Sequence, residues 1–120
     1  MNPDELVAEF CRLWADPDPA RIAACFTEDA VFHNIPMEPV CGRAAIEEYV
    51  EGFVGSFGGI EYRIHHQLVH GNVVMNERTD VFVLNGRTIE LPVMGVFEIA
   101  DGKIASVRDY FDMTALTSGE

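Results

Sequence analysis

Lysine is almost missing from this chain. Lys103 is the only one, and with the arginines it makes 8 cations against 20 Asp and Glu, a formal net charge of −12. An acidic excess of this size repels phosphate backbones and anionic headgroups, which disfavours nucleic-acid and membrane-surface partners. Long apolar runs are missing too, since no segment approaches the roughly 20 residues of a membrane span. The three cysteines, Cys11, Cys25 and Cys41, make no C-x-x-C, so neither a zinc site nor a thioredoxin-type pair is indicated. Cys11 and Cys25 read as small core residues in apolar helical settings. The acidic start Met1-Asn2-Pro3-Asp4-Glu5 lacks the basic-then-apolar layout of a signal peptide, which makes a reducing cytoplasm the expected compartment. With no repeat, low-complexity tract or long linker, residues 1–120 are expected to form one domain.

What the chain does have is ample material for a core: 48% hydrophobic residues with 10% aromatic, against 23% charged. That mix excludes extended disorder. The first half reads helical. Asn2 can cap a helix starting at Pro3, with Leu6, Phe10, Leu13 and Trp14 at helical spacing. Asp18-Pro19 opens a short second helix carrying Ile22, Ala23 and Phe26, and Ala30 to Ile35 reads as a strand stopped by Pro36. Gly42 precedes a third helix with Ala45, Ile46, Tyr49, Val50 and Phe53 on one face. In the second half, Gly71-Asn72, Asn85-Gly86 and Asp101-Gly102 are hairpin signals that divide residues 60–113 into four strands. Helices followed by a curved antiparallel meander predict an α+β fold, with a cone enclosed between the layers.

Hairpin register says which side chains enter that cone. A two-residue turn at Asn85-Gly86 pairs Leu84 with Arg87, and therefore Phe82 with Ile89, Asp80 with Leu91 and Arg78 with Val93. These six share one mostly apolar face. A three-residue loop at Ala100-Asp101-Gly102 then pairs Val93 with Asp109 and Leu91 with Phe111. It is preferred to the two-residue turn because it groups Ala105, Val107 and Phe111 with the apolar face. A three-residue loop at Gly71-Asn72 similarly places Tyr62 and Ile64 inward, whereas a two-residue turn would send Arg63 and His65 there.

Two carboxylates and one guanidinium are thus expected inside an apolar cone. Burying an unpaired ion costs several kcal/mol, so the arrangement calls for a reason. Arg78 and Asp80 alone could simply satisfy each other. Asp109 makes a second acid around the same Arg, which is a layout for acid–base work: one acid can stay protonated as donor while the other stays ionised as base. Asn34 shares a strand face with Phe32 by period two, and if that face points inward it can hold a water beside Asp109. The four histidines do not suggest metal, because His65 and His66 would face opposite ways on a strand and no second cluster completes a site.

These residues carry a resemblance. Asn76-Glu77-Arg78-Thr79-Asp80, Gly95-Val96-Phe97-Glu98, Gly102-Lys103-Ile104 and Arg108-Asp109-Tyr110-Phe111-Asp112 resemble the limonene-1,2-epoxide hydrolase family, and Glu28 to Pro36 looks like its water-site strand. The resemblance implies the cone-shaped fold shared with nuclear transport factor 2 and ketosteroid isomerase, a homodimer packed through the sheet, and no cofactor. It implies Asp80 as the general acid on the epoxide oxygen, Asp109 as the base on water, Arg78 as the bridge and Asn34 as a holder of the water. Attack would be direct and yield a vicinal diol. Phe32, Tyr62, Phe82, Leu91, Val93 and Phe111 are expected to line a site for a small lipophilic epoxide. One position departs from the family: its water-site tyrosine is matched here by Phe32. Tyr62 could supply the missing hydroxyl, and Phe32→Tyr is expected to raise activity. Two other classes stay open, an isomerase or cyclase on the same fold and a non-catalytic lipophile-binding module.

Overall fold

The structure is a computed structural model that describes residues 1–117. Helix α1 spans Pro3–Leu13 and starts as its sequence dictates: the Asn2 side chain accepts from the Glu5 amide at 2.8 Å, and Glu5 Oε1 accepts from the Asn2 amide at 3.1 Å. This reciprocal pair satisfies two amides that a helix start otherwise leaves open. Asp18 caps the short α2, Pro19–Ala23. Strand β1 covers Phe26–Asn34 and is followed by the two-residue β2, Val40–Cys41, and by α3, Arg43–Phe57. Strands β3 (Glu61–His70), β4 (Val73–Leu84), β5 (Arg87–Ala100) and β6 (Lys103–Tyr110) form the meander, and a last turn of helix, α4, covers Thr114–Thr117.

The sheet order is β2-β1-β6-β5-β4-β3, with β1 parallel to β6 and the other pairs antiparallel. The α+β class and the four-strand meander agree with the sequence. Phe26 does not belong to α2. It opens β1 opposite Ile104, because pairing along β6 overrides the helical spacing. The strand also ends one residue early, at Asn34, where Met37 N donates to Asn34 O at 2.7 Å and closes the turn around Pro36.

The core lies between the helices and the concave sheet face. Phe10 makes edge-to-face contacts with Trp14, Phe26 and Phe97 at 6.3, 5.4 and 5.9 Å. Val7, Ile22, Ile46, Val50, Val74 and Val107 close around it, all fully buried or nearly so. Arg43 anchors the start of α3 to β1 by donating twice to Phe26 O, at 3.0 and 2.8 Å. No described helix is long and apolar enough to cross a membrane.

Register holds the main correction. Asn85-Gly86 is the expected two-residue turn, with Arg78 opposite Val93 and Asp80 opposite Leu91. The other two hairpins also have two-residue turns, pairing His70 with Val73 and Ala100 with Lys103, not the expected three-residue loops. Each then carries a bulge: His65 is the extra residue in β3 and Ala105 in β6. A bulge inserts one residue and so reverses which face the rest of the strand presents. Tyr62, Ile64 and Asp109 therefore do face inward, as expected, but Asp109 lies opposite Gly95 and not opposite Val93.

Candidate active site

Period two along β4 places Asn76, Arg78 and Asp80 on the inner face, all buried. Arg78 is 1% exposed, and every one of its nitrogens is engaged. Nε donates to Asp80 Oδ1 at 2.7 Å, Nη2 to Asp80 Oδ2 at 3.2 Å and to Asp109 Oδ2 at 2.7 Å, and Nη1 to Asn76 Oδ1 at 2.9 Å. Asn76 is held in turn by Gln67 Oε1, which accepts from its Nδ2 at 3.1 Å. The guanidinium carbon sits 4.4 Å from the centroid of the Tyr62 ring, and Tyr62 stacks on Trp14 at 6.0 Å. A cation over an aromatic face is favoured electrostatically, so the stack fixes the Arg from the side its hydrogen bonds leave open.

Gly95 makes the meeting of these side chains possible. A Cβ at this position would stand 2.3 Å from Arg78 Nη1 and 3.0 Å from both Asn76 Oδ1 and Asp109 Oδ1. Only a residue without a side chain lets β5 pass beneath the cluster.

Asp109 comes from β6, next to β1, where Asn34 is its register partner. Its Oδ2 is bound to Arg78, while Oδ1 is buried and has no hydrogen-bond partner among the described residues. Asn34 Nδ2 donates to the Tyr49 hydroxyl at 3.0 Å. Asp80, Asp109, Asn34 and Tyr49 all border one cavity of about 80 Å³, whose other walls include Phe32, Tyr62, Phe82, Leu91 and Phe111. Since about 10–15 Å³ on this measure admits one water, it has room for a water and a small reacting group. Val93 is the lining residue the structure does not place there. It faces inward but packs with Ile89 and Leu91 in a separate apolar cluster. A wider apolar hollow of about 500 Å³ adjoins the cavity and shares Met37, Tyr49, Phe53, Phe82 and Leu116 with it.

The cluster of one guanidinium and two carboxylates would carry a surplus negative charge in a largely buried site. Burial pushes Asp80 up to about 6, against the lowering effect of Arg78, and the charge of Asp109 adds to the rise. Burial works against the Arg78 charge, but Asp109 and Asp80 more than offset it and hold the guanidinium firmly protonated. The site thus holds an acid that keeps its proton up to about pH 6 beside a second carboxyl on the same cavity, which is the equipment for moving one proton on and another off. Among the described residues no three His, Cys, Asp or Glu side chains gather as a metal site.

Asn76, Gly95 and Tyr49 were not anticipated as site residues. Asn76 shares the period-two face of Arg78 and Asp80, so the strand pattern held that signal. Gly95 needed the bulge-corrected register. The reach of Tyr49 depends on how α3 docks on the sheet, which no local pattern encodes.

A family model described as a SnoaL-like domain matches residues 7–107. The chain belongs to the SnoaL-like family. Its likeness to epoxide hydrolase EphG of Mycobacterium tuberculosis is 29% identity over 113 residues, 94% of this chain and 75% of that protein. The solved structure of an M. tuberculosis LEH-like epoxide hydrolase superposes with a TM-score of 0.87 at 28% identity, over 98% of this chain and 87% of the other. SalBIII, described as an epoxide hydrolase/cyclase-like enzyme in pyran ring formation, matches with a TM-score of 0.84 at 26% identity, over 94% and 92% of the two chains. The SnoaL-like fold therefore houses both ring-opening and ring-forming relatives of this chain.

Proposed function

We propose that this protein adds water to a small lipophilic epoxide in one step to give a vicinal diol. The observation that carries this reading is the pair of buried carboxyls bound to one guanidinium, both residues bordering one cavity. The similarity to EphG and to the LEH-like structure supports it.

In the proposed step, Asp80 gives its proton to the epoxide oxygen as the carbon–oxygen bond breaks. Water forms the new bond to carbon, and Asp109 takes the proton that this water loses. Strain in the three-membered ring makes carbon reactive, but the leaving oxygen needs a proton as its bond breaks, so acid and base must act together. Arg78 bridges the two acids, keeps their separation fixed and balances the carboxylate charge as it passes from one to the other. Afterwards Asp80 is ionised and Asp109 protonated, and proton exchange with solvent restores the start. The apolar walls and the adjoining hollow suit a hydrocarbon-rich substrate, and no residue of this scheme calls for a cofactor.

The test is incubation with cyclic terpene, cyclohexene and aryl epoxides, with the products identified and the rate followed against pH. Because the acid acts only while protonated, kcat/KM should fall about tenfold per pH unit above about 6, the value to which burial raises Asp80. A rate that instead climbs through that range would assign Asp80 the opposite role. A second reading rests on the likeness to SalBIII: a hydroxyl of the substrate replaces water and the product is a cyclic ether. The same acid and base serve, and product analysis separates the two.

We further infer a homodimer through the outer sheet face, where Met75, Met94 and Tyr110 lie 44%, 40% and 45% exposed. A sedimentation mass of a single chain would contradict it.

A further inference from the structure

Water placement in this site needs more partners than the two carboxyls provide. An ordered buried water typically makes about three hydrogen bonds, ranging from two to four. The Asp109 carboxylate offers one acceptor, and Asn34, its partner on the neighbouring strand, offers a second through its amide oxygen. Neither of these oxygens can donate to the water oxygen and so fix where its remaining lone pair points. Phe32 has no polar atom with which to do so. The ring of Tyr49 lies against Phe32, with centroids 5.6 Å apart, and Tyr49 borders the same cavity from the helical side with its hydroxyl 3.0 Å from Asn34 Nδ2.

We propose that the Tyr49 hydroxyl is a positioning group that donates to the attacking water, which itself donates to Asp109 and Asn34. This rests on the epoxide-hydrolase reading above. Accepting from Asn34 Nδ2 at 3.0 Å occupies one lone pair of the hydroxyl and leaves its own proton without a described acceptor. The same bond orients the Asn34 amide, using one of its two N–H protons and leaving the amide oxygen to receive a proton of the water. With both water protons and one lone pair so assigned, the second lone pair remains for carbon. Burial raises the Tyr49 hydroxyl above its usual value and the charge of Asp109 adds to this, so it remains a neutral donor across the working range.

The test has two arms. In kinetics, Tyr49→Phe is expected to lower kcat about 10- to 100-fold, the scale of a lost positioning contact, with KM and the melting temperature close to the parent's. Recovery of at least about tenfold on adding Phe32→Tyr to that variant is the expected rescue, one a merely structural role would not show. In crystallography, the parent is expected to show a water within about 3.2 Å of both Tyr49 Oη and a carboxylate oxygen of Asp109. A Tyr49→Phe variant with parental kcat, or a well-ordered parent site without that water, overturns the proposal. Failure of the underlying reading looks different: the parent itself then yields no diol.

Discussion

Asp80→Asn and Asp109→Asn are each expected to lower diol formation about 10³-fold, the scale of a lost general acid or base, while the fold survives. Asparagine keeps an oxygen that can accept from Arg78, so the hydrogen bonds at 2.7 Å need not be lost. What goes is the proton: an amide can neither give one to an epoxide oxygen nor take one from water. The charge balance argues that the fold persists. Neutralising either acid leaves one carboxylate against one guanidinium, which removes the surplus charge that burial penalises. Asp80 also sets a pH dependence on stability. Its folded value is raised to about 6, so the native state holds a proton there that the unfolded chain has released. Stability from this group is complete below its ordinary value of 3.8 and is lost as pH rises through about 6, and Asp80→Asn should erase that slope. Parental turnover in either variant, measured as kcat on an accepted epoxide, removes that residue from the chemistry.

Gly95→Ala is the second large effect, and it touches no acid or base. The added methyl would stand 3.0 Å from Asp109 Oδ1 and 2.3 Å from Arg78 Nη1, and real Cβ atoms essentially never come as close as the second. The guanidinium cannot yield easily, because Tyr62 stacks over it and four hydrogen bonds fix it. Either β5 bulges outward or the Arg–Asp cluster shifts. Overpacking of this kind costs about 1–3 kcal/mol in stability. A displacement near an ångström at the reacting groups costs about 10²-fold in rate, so activity should fall by at least that much. Thermal unfolding and kcat measured on the same preparation check both. A Gly95→Ala protein with parental melting temperature and parental kcat would mean the cluster is looser than these distances describe.

Much of the frame was legible in the chain. Asn2 and Pro3 announce the first helix, and three turn dipeptides announce the meander. Alternation along β4 exposed Arg78 and Asp80 as charges on an apolar face. The turns at Gly71 and Asp101 are one residue shorter than the pattern suggests, and Ile104 takes the buried place expected of Ala105, yet Tyr62 and Asp109 face inward because the bulges at His65 and Ala105 restore the face that the pattern demands. A bulge leaves no mark of its own in sequence. It is the residue left over when turn geometry and face burial disagree. Phe26 was misassigned for a related reason, since its strand exists only by pairing with β6. Gly95 and Tyr49 show the limit most plainly. One matters for the side chain it lacks and the other for a hydroxyl aimed by helix docking, and both depend on contacts between segments distant in the chain.

The most direct measurement is a single turnover of the parent protein in ¹⁸O-water with an accepted epoxide, reading label in diol and protein by mass spectrometry. Direct attack by water predicts one ¹⁸O in the diol from the first turnover and none in the carboxyls of Asp80 or Asp109. A first-turnover diol without label, together with ¹⁸O in either carboxyl, would mean the protein itself attacks carbon, and would contradict the account.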